Sequence, residues 1–253
     1  RTHQFAEDAG PMAHPVRPDA FVDISNFYTL TVYEKGAEVV RMLHTLLGHK
    51  QFIEGASLYF RRFDGQAVTC DDFVDGMAEV SGRDLAQFRR WYAQAGTPEV
   101  IASGHYDQAA EQYHLTLKQL NRPTPGQTDK APLPIPVATG LLVGGKPIPL
   151  DSGTTRILEL SEPEQTFTFD GVLARPVVSL LRGFSAPVRL TADQSESDLL
   201  TLMSGDDDDF VAWDAAQSLL ARAIEALDLT EQEAKIHSAL LEAIERVLTG
   251  SMD

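Results

Sequence analysis

The stretch NFYTLTVYEKGAEVVRMLHTLLG, residues 26–48, carries the local signals from which the first part of the fold can be worked out. Its second half spaces apolar side chains along one face of a helix, and it ends in Gly48, a residue type favoured just after a helix end. These features predict a helix over residues 26–47. The tetrapeptide YEKG at residues 33–36 lies where such a helix would begin to bury its apolar face. Its polar side chains therefore need an explanation beyond helix formation.

Three more helices are predicted downstream, each with its own start and stop signals. The second covers about residues 50–63. The third begins at the capping sequence TCDD, residues 69–72, and ends near Gly82. The fourth begins at Asp84 and ends at Gly96-Thr97-Pro98. Helical spacing with a cap and a stop in each unit indicates a helical first third of the chain.

The pattern changes to that of β-structure between about residues 100 and 190. Short β-prone runs alternate with turns rich in proline and glycine, and Tyr113, Leu115 and Leu117 alternate with polar neighbours. A two-residue period is typical of a strand with one buried face. Several such strands over about 90 residues predict a small antiparallel β-sandwich.

From residue 195 onward the pattern is helical again. Apolar residues recur on one helical face between positions 210 and 227, and TEQE at residues 230–233 is a capping box for a further helix. The acidic run at residues 206–209 is best interpreted as a solvated cap of the first of these helices. Their wide apolar stripes indicate helices that pack against partners elsewhere.

Composition restricts the classes of partner. The chain of 253 residues has 37 acidic and 21 basic side chains, a formal net charge of −16. This charge argues against nucleic acid and anionic membranes as partners, because both require a basic surface. The single cysteine, Cys70, excludes an intrachain disulfide framework and favours a reducing, cytoplasmic compartment. The chain begins at Arg1 without a signal-peptide pattern, and we expect it to be a fragment of a longer protein.

The sequence offers few candidates for metal binding or for a catalytic nucleophile. It contains no His-Glu-x-x-His pair, and His44 and His49 are five residues apart, a spacing that would put them on different faces of a helix. Cys70 is expected to be inert, because Asp71 and Asp72 would raise the pKa of its thiol. We therefore expect no tight metal site within the chain itself.

Tyr33 remains as a candidate for chemistry. A phenol is neutral near pH 7 and can donate a hydrogen bond, and such a donor aimed at a developing oxyanion is worth roughly 3–4 kcal/mol. The alternative is that Tyr33 only packs at the start of the helix, as most tyrosines pack against their neighbours. The residues alone leave both interpretations open.

Several segments resemble one known family. QFAEDAGPMAHPVRPD (residues 4–19), residues 26–48, DGQAVTCDDFVDGMAEVSG (64–82) and FRRWYAQAGTPEV (88–100) are similar to the M1 family of zinc metallopeptidases, in particular its bacterial aminopeptidases. FTFDGVLARPVVSLLRGFSAPVRL and DFVAWDAAQSLLA resemble later domains of that family in the same order. The resemblance covers essentially the whole chain and is most specific in its first hundred residues.

The resemblance implies a role for two tyrosines. In the family, the tyrosine of the Tyr-Glu-Lys-Gly motif hydrogen-bonds the oxyanion formed when zinc-bound water attacks the scissile carbonyl, and that position is Tyr33 here. Tyr28 resembles a residue near the substrate pocket. The family's zinc ligands and its Gly-x-Met-Glu-Asn segment, which grips the substrate amine, are missing from the chain. The resemblance therefore implies zinc in the complete enzyme, with no metal ligand in this chain.

The expected fold class is multidomain α+β. Residues 1–98 would be the helical end of a thermolysin-like catalytic domain, residues 99–195 the β-sandwich, and residues 196–253 the first helices of a C-terminal helical domain. The implied function is removal of N-terminal residues from peptides, and the implied partners are peptide substrates and the remaining segments of the same polypeptide. The isolated chain is expected to be inactive. The alternative is a non-catalytic protein-interaction module, which an unrelated upstream sequence would favour.

Overall fold

A computed structural model describes residues 1–150 and 153–226, together with positions 238, 240–242, 244, 245 and 249. Within these residues, four helices precede eight strands, and two helices follow them. The helices are α1 Gln4–Asp8, α2 Gly36–Phe63, α3 Cys70–Ser81, α4 Arg90–Ala93, α5 Glu196–Gly205 and α6 Asp209–Ala226. The strands are β1 Glu99–Asp107, β2 Gln112–Leu120, β3 Ile135–Val143, β4 Lys146–Pro147, β5 Arg156–Leu160, β6 Glu164–Phe169, β7 Val177–Leu180 and β8 Arg189–Ala192. The multidomain α+β class is thereby confirmed.

The first predicted helix begins later than its sequence indicates. Ile24–Phe27 form a separate 3-10 turn, Tyr28 has a non-helical backbone (φ −85°, ψ 73°), and a π-helical turn, Thr31–Lys35, then leads into α2. The predicted start at residue 26 was wrong because the Asp23 carboxylate accepts a hydrogen bond from the Ser25 amide and starts that separate turn. Gly48 does interrupt the helix, since its φ of 74° and ψ of 160° are not helical.

The third and fourth predicted helices differ in outcome. The third is confirmed: Thr69 and Asp72 form the capping box of α3, and Gly82 ends it with a left-handed φ of 66°. The fourth starts later than predicted, because the Asp84 carboxylate binds the amide of Ala86 at 2.8 Å and holds a local turn. α4 follows only after a 3-10 turn, Gln87–Arg89.

Two four-stranded sheets form the sandwich. One has the strand order β6-β2-β1-β8, and the other is built on β3, which pairs with β4, β5 and β7. Every pairing is antiparallel except that of β1 with β8, which is parallel in the register Glu99↔Arg189 to Ala102↔Ala192. The predicted antiparallel β-sandwich is confirmed, with this one parallel pair at its edge. β8 crosses over from the opposite sheet, so no tight hairpin sets its direction.

The sandwich and the helices share a core. Trp91 of α4 is buried, and its indole Nε1 donates a hydrogen bond to the Pro134 carbonyl at 2.8 Å just before β3. The main apolar cluster runs from Val39 and Leu43 of α2 through Trp91 to the inner faces of both sheets. α2 and the strands are therefore held in one continuous packing unit.

The C-terminal helices begin with strong caps. Ser195 and Asp198 form the capping box of α5, and the carboxylate of Asp208 accepts a hydrogen bond from the amide of Val211 at 2.9 Å in the first turn of α6. Asp206 departs from the prediction of a solvated cap, because its side chain is buried and pairs with Arg182 at 3.0 Å. The predicted capping box at 230–233 lies outside the described residues. Among the helices that the structure describes, none combines the length and apolar character needed to cross a bilayer.

Candidate functional site

Tyr33 lies on the π-helical turn that precedes α2. This turn is anchored from a distance, because the backbone amide and the hydroxyl of Thr31 both donate hydrogen bonds to Glu7 Oε1, at 2.9 and 2.6 Å. Gln4 Nε2 donates a further hydrogen bond to the Thr31 hydroxyl at 3.3 Å. Short π-helical segments occur frequently at functional sites. The position of Tyr33 therefore depends on α1, more than twenty residues earlier in the chain.

Lys35 supplies the second anchor of the turn. Its ammonium group is buried and donates hydrogen bonds to Asp8 Oδ2 and to the Gly96 carbonyl, both at 2.8 Å. The Thr97 hydroxyl also donates a hydrogen bond to Asp8 Oδ2, at 2.9 Å. Burial lowers the pKa of Lys35, and the neighbouring Asp8 carboxylate opposes this effect. Lys35 thus holds the turn against α1 and Gly96 from inside the protein, whereas Tyr33 and Glu34 remain exposed.

The glycine of the tetrapeptide has a simple packing role. A Cβ atom on Gly36 would lie 3.4 Å from Cγ1 of Val16, at the tight end of van der Waals contact. Its φ of −58° is helical, so no special backbone conformation requires a glycine here. The segment that passes α2 at this point contacts it through a side chain.

The two predicted site residues lie side by side. The rings of Tyr28 and Tyr33 stack with centroids 6.1 Å apart and an angle of 22° between their planes. Their exposed fractions are 62% and 57%, which are large for aromatic side chains. Phe27 packs edge-on against Tyr28, and Phe21 packs edge-on against Phe27, so these four residues form an aromatic patch. The sequence did not indicate this pairing, because the predicted helix over residues 26–47 would put residues five apart on different faces, whereas the structure places Tyr28 outside any helix.

Two of the histidines considered as metal ligands, His44 and His49, lie closer together than the sequence predicts. Within the residues that the structure describes, no three histidine, cysteine, aspartate or glutamate side chains come together as a metal centre. The prediction that His44 and His49 point apart was wrong, because their Nε2 and Nδ1 atoms lie 3.3 Å from each other. The non-helical Gly48 between them turns the chain so that residue 49 comes back towards residue 44.

Cys70 behaves as an ordinary structural thiol. It is half-buried at the start of α3, and burial is the main cause that raises the pKa of its thiol. Arg17 opposes this shift and Asp71 adds to it. The direction agrees with the sequence-based expectation, although desolvation has a larger effect than the neighbouring acids. A raised pKa disfavours the reactive thiolate.

Sequence reasoning missed the residues that hold the turn in place. Glu7 and Asp8 lie in α1, a helix of only five residues that no apolar periodicity announces. Their partners, Thr31 and Lys35, are 24 and 27 residues away. The one available signal was the lysine itself, since a lysine at the start of a buried helical face needs an acidic partner.

Comparison with known proteins agrees with this architecture. Residues 1–92 match the Peptidase family M1 domain, residues 96–193 match a domain of unknown function with an Ig-like fold (DUF3458), and residues 196–253 match its C-terminal companion, described as ARM repeats. The solved structure of Legionella pneumophila aminopeptidase A in complex with aspartic acid superposes with a TM-score of 0.78. The two share 32% sequence identity over 92% of this chain and 27% of that one.

The first of these matches defines the class: residues 1–92 of the chain match peptidase family M1. Within that class it is similar to aminopeptidase N of Escherichia coli, at 54% identity over 87% of this chain and 26% of the relative. It is also similar to aminopeptidase N of Caulobacter vibrioides, at 50% identity over 92% of this chain and 27% of the relative. The chain spans about a quarter of the length of these relatives.

Proposed function

We propose that this chain is a segment of a zinc-dependent aminopeptidase that removes N-terminal residues from peptides, and that its catalytic contribution is Tyr33. The observation that carries the proposal is the anchored turn. Within the M1-matched segment, Tyr33 lies exposed on a backbone that two polar contacts hold in place, the half-buried one of Thr31 with Glu7 and the buried one of Lys35 with Asp8.

The chemical role of Tyr33 follows from what a fixed phenol can do. When a peptide carbonyl is attacked by water, its oxygen gains negative charge, and a hydrogen bond from a phenol stabilises that charge. A donor held in advance at the right place needs no reorganisation during the reaction, which makes it more effective than a mobile one. The anchors from α1 provide this preorganisation, because they fix the backbone on both sides of Tyr33.

Tyr28 is proposed to bind substrate. Its ring stacks on that of Tyr33 and leaves a large part of its surface exposed. An exposed aromatic face next to the oxyanion donor can contact the apolar part of a substrate side chain or its backbone. Tyr28 would thus position the peptide, while Tyr33 acts on the reacting carbonyl.

The described residues contain no cluster of three or more ligands that could form the zinc centre. We propose that the zinc ligands lie on other segments of the polypeptide, where zinc would act as Lewis acid and activate the water. The 253-residue chain alone is then inactive.

Its partners are peptides and the remaining segments, and its location is the cytoplasm. We further propose domains at residues 1–98, 99–195 and 196–253.

The test is Tyr33→Phe in the complete enzyme. Loss of a contact made chiefly in the transition state should lower kcat by roughly a hundred- to a thousand-fold with little change in KM. Tyr28→Ala is the comparison variant, since loss of a substrate contact should act mainly on KM. A phenylalanine variant with the kcat of the parent enzyme would remove Tyr33 from the mechanism.

A further inference from the structure

The break in α2 at Gly48 creates a pair of histidines that the linear sequence does not suggest. His44 lies one turn before the break and His49 directly after it. Nε2 of His44 and Nδ1 of His49 are 3.3 Å apart, and the two ring planes meet at 72° with centroids 5.5 Å apart. Two imidazole nitrogens from the two sides of the break therefore lie next to each other.

This separation is that of a chelating pair. Two imidazole nitrogens bound to one metal at about 2.0–2.1 Å, with a tetrahedral angle between them, are about 3.3–3.4 Å apart. We propose that His44 and His49 form a bidentate site for a divalent transition metal such as zinc, nickel or copper, with water in the remaining coordination positions. Imidazole nitrogen suits all three of these ions.

The surroundings of the pair favour a fixed geometry with an open side. The ring of His44 is half-buried and packs edge-on against Phe52, with centroids 5.2 Å apart and 77° between the planes. Leu43 and Leu47, on either side of His44 in the helix, are buried in the core. His49 is exposed, so water and a metal ion reach the shared position from solvent. One ligand is thus held by packing and the other completes the site from the surface.

Metal binding replaces the hydrogen bond between the two rings. In the metal-free pair, one of the two facing nitrogens carries a proton and donates it to the other. A metal needs the lone pairs of both facing nitrogens, so the proton that one of them carries moves to the other nitrogen of its ring when the ion binds. The formal net charge of −16 attracts cations to the protein as a whole. The affinity should follow the order cobalt, nickel, copper, with copper the tightest.

A second pair of histidines provides the matched control. His105 and His114 lie opposite each other on β1 and β2, but their rings are nearly parallel, with 11° between the planes and centroids 6.4 Å apart. His114 Nδ1 is also hydrogen-bonded to the Thr168 hydroxyl at 3.0 Å. This second pair has the same residue types without convergent nitrogens, so it should not contribute to the site.

The experiment is a calorimetric titration, in which nickel ions are added to the complete polypeptide without a polyhistidine tag. His49→Gln and His44→Gln should each weaken one nickel site by roughly tenfold or more, because even loss of an outer-shell partner costs about 10–100-fold in metal affinity. His105→Gln should leave that site unchanged. Equal nickel binding by the parent and His49→Gln, or an equal loss in His105→Gln, would overturn the proposal.

Copper provides a readout that does not depend on stability. The electron paramagnetic resonance spectrum of copper bound to the parent should show coupling to two imidazole nitrogens, and that of His49→Gln to one. His49 is exposed, so the variant should unfold at the temperature of the parent. An unchanged two-nitrogen spectrum in His49→Gln would place the ion elsewhere and would overturn the proposal.

Discussion

Replacing Lys35 by methionine should destabilise the protein far more than the removal of an exposed ion pair. The side chains of Lys35 and Asp8 are 1% and 0% exposed, and their N–O distance is 2.8 Å. Lys35→Met would leave the Asp8 carboxylate buried with only the Thr97 hydroxyl as partner, and Oδ1 of Asp8 already has no hydrogen-bond partner among the described residues. Removing one member of a buried pair typically costs about 3–5 kcal/mol, because the remaining charge is left uncompensated.

The assay is thermal unfolding followed by circular dichroism. A change of 1 kcal/mol shifts Tm by roughly 2–4 °C in a protein of this size, so Lys35→Met should lower Tm by about 6–20 °C. Arg62→Met is the matched control, since its pair with Glu79 is 44% and 55% exposed and should matter much less. The double variant Lys35→Met with Asp8→Leu should recover much of the loss, because it removes both buried charges. Equal Tm values for Lys35→Met and Arg62→Met would refute the reasoning.

Two further predictions concern α5 and the contact of α2 with α3. Burial raises the pKa of Asp198, but hydrogen bonds lower it by more, so that it lies below its ordinary 3.8. The largest of these lowering effects is the hydrogen bond from Arg175. Asp198→Asn should therefore cost on the order of 1 kcal/mol in urea unfolding at pH 7, and the difference should vanish as the pH falls below 3.8 through the lowered pKa. Gly55→Ala should destabilise by about 1–3 kcal/mol, since its Cβ would lie 2.5 Å from Met77 Sδ and 3.3 Å from Met77 Cα. Gly76→Ala, whose Cβ would meet no atom closer than 3.7 Å, should be neutral or stabilising in the same assay.

What the sequence predicts well is what local contacts decide. The capping box of α3 was found because Thr69 and Asp72 are three residues apart, and their mutual hydrogen bonds form within that helix turn. The predicted start of the helix at residue 26 was wrong because the Asp23 carboxylate starts a separate turn there. The turn that does lead into α2 is held by Glu7, which binds Thr31 from 24 residues away. A local cause hid the His44–His49 contact, because the spacing rule assumes an unbroken helix and Gly48 interrupts it.

The connection between α2 and the sandwich shows why the setting of Tyr33 cannot be worked out from local patterns. Arg41 of α2 donates hydrogen bonds to the carbonyls of Gly183 and Phe184, in the turn between β7 and β8. Leu181 and Phe184 have φ values of 55° and 54°, a left-handed conformation that costs energy for non-glycine residues. Side chains of this size adopt it only where the surrounding contacts determine the backbone, and at Phe184 one of those contacts comes from an arginine more than 140 residues earlier. α2, which follows the turn that carries Tyr33, is therefore positioned in part by backbone carbonyls, and any residue type could present a carbonyl there.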